Sequence, residues 1–223
     1  MIMSSDSPKQ ALFREFAEVA KALAHGVRLE LLEHLAQKNQ NVESLARLTD
    51  VSVASVSQHL QKLRHAGLVV ASKHGKQVIY RLKDDQAVDL LEALQRFAER
   101  NTAEVQQVIA GYFNDRDSME AVSKSDLLKR VAQGTAIALD VRPADEFDAG
   151  HLKGAINIPL AELEEHLADL PPGKEIIAYC RGPYCVLSYE AVPAMREKGY
   201  TVFRLDGGYP DWKASGLPVT THA

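Results

Sequence analysis

Thr49-Asp50-Val51-Ser52-Val53-Ala54-Ser55-Val56-Ser57-Gln58-His59-Leu60-Gln61-Lys62-Leu63-Arg64-His65-Ala66-Gly67 decides how the first half of the chain folds. Thr49-Asp50-Val51 reads as a tight turn. Ser52 is a good N-cap, since its hydroxyl can accept from an orphan N–H of the turn that follows. A helix is predicted over residues 53–66, with Val53, Val56, Leu60 and Leu63 on one face. Ser55, Ser57, Gln58, Gln61, Lys62 and His65 are left on the others, and Gly67 suits the residue just past a helix end.

Upstream, helical periodicity predicts a short helix over 42–48, another over 25–35 and a first one over 10–23, whose apolar stripe is Leu12, Phe13, Phe16, Val19, Ala20 and Leu23. Downstream, β-rich runs at 68–73 and 76–82 flank His74-Gly75, a hairpin signal. Two short helices joined by a tight turn, the second polar on its free face, read as a helix-turn-helix with a wing. Ser and Gln can bond base edges, and Lys and Arg can neutralise phosphates. The candidate DNA-contacting residues are therefore Ser55, Ser57, Gln58, His59, Gln61 and Lys62 on the helix, with Lys73, Lys76 and Arg81 on the wing.

The charge follows that division. The net −4 of the 223 residues conceals +5 over residues 1–83, −6 over 84–120 and −3 over 121–223. The basic excess falls on the segment that would meet phosphate. At 46% hydrophobic and 25% charged, the composition is that of a soluble globular protein with room for two domains. No apolar run is long enough for a membrane span, and no secretory signal is visible, so a cytoplasmic setting without membrane partners is expected. The only cysteines, Cys180 and Cys185, share one segment, too few for a disulfide framework or a zinc site. No metal or other cofactor is expected.

Helical periodicity continues to about residue 112, and the polar run Asn114-Asp115-Arg116-Asp117-Ser118 marks a boundary. The reading is a helix-turn-helix and dimerisation domain over 1–113, a linker over 114–122 and a second domain over 123–223. Short β-rich runs at 136–141, 155–158, 175–179 and 202–205 alternate with helical stretches there, the pattern of a parallel α/β sheet. Ile176-Ile177-Ala178-Tyr179 delivers Cys180 to a strand's carboxyl end, where open α/β sheets bind ligands. The loop Cys180-Arg181-Gly182-Pro183-Tyr184-Cys185 then leads to a helix from Val186. Loop N–H groups and the helix N-terminus favour a thiolate, the nucleophilic form, with Arg181 and Arg142 expected to add positive charge.

Ala22-Leu23-Ala24-His25-Gly26-Val27-Arg28-Leu29-Glu30-Leu31-Leu32, followed by residues 51–68 and the wing, resembles the ArsR/SmtB-type transcriptional repressors over about residues 10–112. That resemblance implies a homodimer that occupies operator double-stranded DNA and releases it on binding a ligand. It also implies a dimer interface from the first helix and a long one over about 85–113, with Val88, Leu91, Leu94, Phe97, Ala98, Val105, Val108 and Ile109 as its apolar positions. Metal-sensing members carry cysteines where this chain reads Asn41-Val42-Glu43-Ser44-Leu45, and no cysteine precedes residue 180.

Leu139-Asp140-Val141-Arg142-Pro143-Ala144-Asp145-Glu146-Phe147, Gly150-His151-Leu152-Lys153-Gly154-Ala155-Ile156-Asn157-Ile158-Pro159 and Gly207-Gly208-Tyr209 with Trp212 resemble a rhodanese domain over about residues 122–220. That implies a persulfide-accepting nucleophile at Cys180, supported by Asp140 and Arg142, with Glu146 and His151 read as structural. Two departures stand out: Cys185 occupies the position usually basic, and Pro183 removes an N–H from the cradle. Val186 at the sixth position argues against Cys-X5-Arg phosphatase chemistry. The fold expected is therefore multidomain, a helix-rich winged helix-turn-helix followed by an α/β rhodanese domain with a central parallel sheet. Three functions stay open: a regulator sensing sulfane sulfur or redox state through Cys180 and Cys185, with a sulfane sulfur donor or small thiol as partner; a sulfurtransferase enzyme, weak for want of the basic residue; and a binding module for an oxyanion.

Overall fold

The computed structural model describes residues 7–114, 117 and 121–221. The chain divides into two compact units, Met1–Ala87 and Val88–Ala223.

The first unit is built from α1 (Pro8–Leu23), α2 (Gly26–Gln37), β1 (Gln40–Asn41), α3 (Val42–Thr49), α4 (Val53–His65), β2 (Val69–His74) and β3 (Gln77–Leu82). Leu31, Leu32, Leu45, Val56, Leu60 and Leu63, all fully buried, form its core. Each such side chain contributes about 1.5–3 kcal/mol by leaving water. The α3–α4 turn is closed by Asp50, held at φ 51°, a left-handed conformation that Asp tolerates better than most residues. Its N–H reaches the Ala46 carbonyl. Ser52 caps α4, its hydroxyl accepting from the Ser55 N–H at 3.3 Å.

Two expectations need correcting. Val53, placed on the inner face by periodicity, is 47% exposed, because it is the first helical residue and projects beyond the core that Val56 and Leu60 reach. The hairpin turn is Gly75-Lys76 rather than His74-Gly75, with His74 paired to Gln77 and Gly75 at φ 61°. A tight hairpin requires positive φ at its first central residue, so the glycine sets the register.

The stripe on α1 finds no core within the protomer. Leu12, Phe13 and Phe16 are 57%, 62% and 61% exposed.

The long helix expected over 85–113 is three pieces: α5 (Gln86–Asn101), α6 (Ala103–Val108) and a π-helical turn, Ile109–Asn114. Side chains end α5. The Asn101 amide donates to the Phe97 carbonyl at 2.8 Å and the Gln106 amide to the Glu99 carbonyl at 2.9 Å, satisfying groups a continuous helix would use internally. Thr102 takes up an extended conformation between the pieces. Asp115, Arg116 and Ser118 of the expected linker lie outside the described residues.

The rest of the second unit runs α7 (Lys124–Ala132), β4 (Ala136–Asp140), α8 (Ala144–Ala149), β5 (His151–Leu152), β6 (Ile156–Asn157), α9 (Leu163–His166), β7 (Glu175–Cys180), α10 (Val186–Glu197), β8 (Val202–Gly208), α11 (Tyr209–Ala214) and β9 (Val219–Thr220). Strand order is β6-β4-β7-β8, every pair parallel. Leu163, Ala191, Val192 and Met195 pack one face, while Leu127, Tyr209 and Trp212 pack the other. The central strand β7 is buried on both faces, which is why it reads as an unbroken apolar run. Val122 extends the β8 edge, exchanging hydrogen bonds with the Arg204 carbonyl (2.7 Å) and the Asp206 N–H (2.8 Å). Asp117, also buried, accepts from Arg196 at 2.8 Å and Arg204 at 2.9 Å.

Ser52→Ala should cost about 1 kcal/mol through loss of the α4 cap. Urea denaturation followed by far-UV circular dichroism would measure it; an unchanged midpoint would mean the cap bond is dispensable.

Candidate functional site

The carboxyl end of β7 places Cys180 in the sheet's centre, 1% exposed, and the loop returns to start α10 with Cys185 as its N-cap, 6% exposed. The loop is closed by a Cys185 N–H donating to the Gly182 carbonyl at 3.2 Å. It lies directly on β8. Cys180 pairs with Gly208 across a register shift, and a Cβ at Gly208 would sit 2.5 Å from backbone atoms of Cys180, Arg181 and Gly182. Only a residue without a side chain allows that approach.

Sulfur Sγ of Cys180 lies 3.3 Å from the Ser188 hydroxyl, 3.6 Å from the Cys185 carbonyl and 3.8 Å from the Gly182 carbonyl. The same hydroxyl is 3.2 Å from the Cys185 carbonyl. In the thiol form Cys180 can donate to Ser188, which donates onward to that carbonyl; on ionisation the hydroxyl turns to the sulfur. Burial alone would raise the Cys180 thiol. Hydrogen bonds from the Cys185 thiol, the Ser188 hydroxyl and the N–H groups of Gly182 and Ser188 outweigh it and hold Cys180 below the ordinary thiol range. Cys185 moves the other way, raised by donating to Cys180 and by burial, despite the Arg181 N–H at its sulfur. The loop therefore sets the two thiols apart, Cys180 the more acidic and Cys185 the less.

The positive charge expected of Arg181 and Arg142 is cancelled. Arg181 forks onto Glu146 at 2.6 and 3.1 Å, and Arg142 forks onto Asp140, with both members of the second pair fully buried. Arg142 also donates to the Gly150 carbonyl at 2.8 Å and stacks on the Tyr209 ring at 4.5 Å. Asp140 and Arg142 thus brace the end of β4, and Glu146 anchors the loop through Arg181. His151 stacks on Phe147 at 3.7 Å, with its Nδ1 2.9 Å from the Phe147 carbonyl. Gly182 and Pro183 form the loop crest, Tyr184 precedes the second cysteine, and Val186, 37% exposed, opens α10. Ser188 escaped sequence reasoning. Its signal is a hydroxyl in the first turn of the helix that follows the loop.

On the first unit, Gln58, Gln61 and Lys62 of α4 and Lys73, Lys76 and Arg81 of the hairpin are exposed, and Ser55 and Ser57 are half-buried. Arg81 folds onto the carbonyls of Leu82 and Lys83 at 3.0 and 3.3 Å. His59 is tied inward, its ring 4.4 Å from that of His25 and its Nδ1 3.5 Å from Arg28. Burial, with the neighbouring His25, Arg28 and Lys62, lowers its pKa. Arg28, also unforeseen, is buried and caps the carbonyls of Lys21 and Ala22 at the end of α1. Among the described residues no group of three or more His, Cys, Asp or Glu side chains could hold a metal ion, and no helix is long and apolar enough to cross a membrane.

A winged helix-turn-helix joined to a parallel α/β sheet with a two-cysteine loop at its carboxyl edge defines a bacterial regulator carrying a rhodanese-type domain. The family model for bacterial regulatory proteins of the arsR family matches residues 25–70, and that for the rhodanese-like domain matches residues 123–215. The chain is 40% identical over 211 residues to the HTH-type transcriptional regulator Rv0324 of Mycobacterium tuberculosis, covering 95% of this chain and 92% of that protein. It belongs to the arsR family and carries a rhodanese-like domain. Its first half is 41% identical over 90 residues to the biofilm growth-associated repressor of Agrobacterium fabrum, covering 39% of this chain and 77% of that one. Its second half is 27% identical over 100 residues to a sulfurtransferase of Allochromatium vinosum, covering 44% and 92%.

Site-resolved alkylation of Cys180, followed by mass spectrometry across pH, should give a midpoint below the ordinary thiol value of about 8.5. Ser188→Ala removes a donor to the thiolate, so the midpoint should rise; an unmoved midpoint would exclude Ser188 from stabilising the anion. Gly208→Ala should cost about 1–3 kcal/mol by overpacking and speed alkylation by prising the loop from β8.

Proposed function

We propose that the protein is a cytoplasmic, dimeric, operator-binding repressor whose rhodanese-like domain senses sulfane sulfur through Cys180 and Cys185. The observation that carries this reading is a pair of buried cysteines at the two ends of one hydrogen-bonded loop, Cys180 made more acidic and Cys185 less, in a chain whose other unit presents Gln58, Gln61, Lys62, Lys73 and Lys76 at its surface. A thiolate attacks sulfane sulfur, and a neighbouring thiol resolves the product. The Cys180 thiolate would attack the outer sulfur of a small persulfide RS–SH. The RS–S bond breaks, RS⁻ leaves and takes up a proton from solvent, and Cys180 becomes a persulfide. Cys185, losing its proton, then attacks Sγ of Cys180 and expels HS⁻, leaving a Cys180–Cys185 disulfide. Two equivalents of a small thiol restore both cysteines and leave as their own disulfide.

Dimerisation is supported by the apolar stripe of α1, exposed at Leu12, Phe13 and Phe16, and by Leu94, Phe97 and Val108, which are 41%, 66% and 61% exposed on α5 and α6. The likeness of the first half to a repressor supports the sign of regulation. Likeness to a sulfurtransferase favours a second reading, an enzyme turning over through the Cys180 persulfide. The burial of Cys180 and the pairing of Arg181 with Glu146 weigh against turnover, since the loop's own guanidinium is already engaged by a carboxylate.

Fluorescence anisotropy with a duplex spanning the promoter of the protein's own gene tests this. Polysulfide should weaken binding by about tenfold or more, in the range of allosteric couplings, with reversal by dithiothreitol. Cys180→Ser should abolish the response, and Cys185→Ser should leave Cys180 persulfidated but unresolved. Wild-type affinity unmoved by polysulfide would sink the sensor reading, and rapid thiocyanate formation from thiosulfate and cyanide would establish the enzyme instead.

A further inference from the structure

The loop is tied to the helical arm of its own unit as well as to the sheet. Tyr184, which immediately precedes Cys185, meets Phe113 edge-on at 5.3 Å. Phe113 also meets Tyr189 edge-on at 4.8 Å, and Tyr189 directly follows Ser188, the residue touching Sγ of Cys180. Phe113 belongs to the π-helical turn that ends the arm, and its carbonyl accepts from the N–H of Asp117 at 3.0 Å. The carboxylate of Asp117 is gripped by Arg196 of α10 and Arg204 of β8, and the Arg204 guanidinium stacks on Tyr189 at 3.9 Å. Tyr184 and Glu99 of α5 line the same cleft of about 470 Å³, where burial and that carboxylate push the phenol up. A ring cluster and a shared cleft thus lead from the cysteine loop to the arm.

We propose that the Phe113–Tyr184–Tyr189 cluster, beside the cleft that Tyr184 shares with Glu99, transmits the sulfur state of the Cys180–Cys185 loop to α5. The proposal rests on the sensing reading above and supplies the route it lacks. Joining the cysteines replaces a non-bonded separation of the two sulfurs with a covalent bond of about 2.05 Å. Cys185 is the N-cap of α10, so the shift falls on the flexible loop side, where Tyr184 is the adjacent residue. Edge-on ring contacts are directional and yield to such a displacement. The arm receiving it is stiff, with α5 an unbroken helix of 16 residues, about 24 Å long at 1.5 Å per residue. That helix starts four residues after the wing strand β3 ends and carries the exposed Leu94 and Phe97. A change at Glu99 therefore acts on the helix assigned to dimerisation. Allostery requires two states with different contacts, and here the differing contacts are named.

Glu99→Gln and Phe113→Leu test the route in the full-length protein, since neither residue touches a cysteine. Formation of the Cys180–Cys185 disulfide, read by mass spectrometry, should stay at the wild-type level in both. The loss of promoter affinity on polysulfide treatment should shrink from about tenfold or more to less than about threefold. Tyr184→Phe, which removes only the hydroxyl, should match Glu99→Gln. A full wild-type response in both Glu99→Gln and Phe113→Leu would overturn the proposal. Hydrogen–deuterium exchange over residues 95–113 adds a readout independent of sulfur chemistry, with the loop perturbed by iodoacetamide at Cys180. Altered exchange in the wild type, blunted in the variants, supports the route even if polysulfide leaves promoter binding unmoved and the sensing reading fails. Unaltered wild-type exchange overturns the route even if sensing holds.

Discussion

A sulfur anion sealed inside a protein must be solvated by the protein, because water is excluded from it. The carboxyl edge of the sheet in the second unit is arranged around that constraint. Cys180 needs donors from several directions, so the chain folds over it, and the N–H groups of Gly182 and Ser188, the Ser188 hydroxyl and the Cys185 thiol all converge. Folding over requires the loop to lie on β8, and that in turn requires Gly208 to have no side chain. Fixing the loop crest requires an anchor, supplied by Arg181 on Glu146, and Glu146 is positioned by the short helix that follows β4. Removing any one of these supports changes the solvation of one atom.

The same logic explains why, among the described residues of the second unit, the buried carboxylates Asp117, Asp140 and Glu146 are held by arginines. Asp140 with Arg142, Glu146 with Arg181, and Asp117 with two arginines are all taken out of water together. An unpaired buried charge would cost several kcal/mol, while pairing with additional hydrogen bonds brings the sum near neutral. These pairs thus act mainly by fixing geometry. They also leave the thiolate to be stabilised by neutral donors.

Much of this was readable beforehand, and the exceptions share a cause. The turn at Asp50, the cap at Ser52 and the buried run of β7 are local, so residue type and spacing reveal them. Cys180 and Cys185 could be placed at the ends of one loop for the same reason. Ser188, the Arg181–Glu146 pair and the inward anchoring of His59 by Arg28 depend on partners many residues away, which periodicity does not encode. The break at Thr102 was hidden because residues 86–114 keep a helical apolar pattern across it; only the side chains of Asn101 and Gln106, turned back on α5 carbonyls, end the helix there. The sharing of charge was misjudged because two arginines near a cysteine look like a cationic site until their carboxylates are located.

With only 1% of Cys180 accessible, the site is a gated one, and its kinetics follow from that. Any reagent must wait for the loop to part from β8 before it meets sulfur. When reagent is scarce, the rate rises with its concentration; when it is abundant, the rate is capped by how often the gate opens. The snug seat over Gly208 therefore bears on how fast Cys180 can react as well as on its acidity.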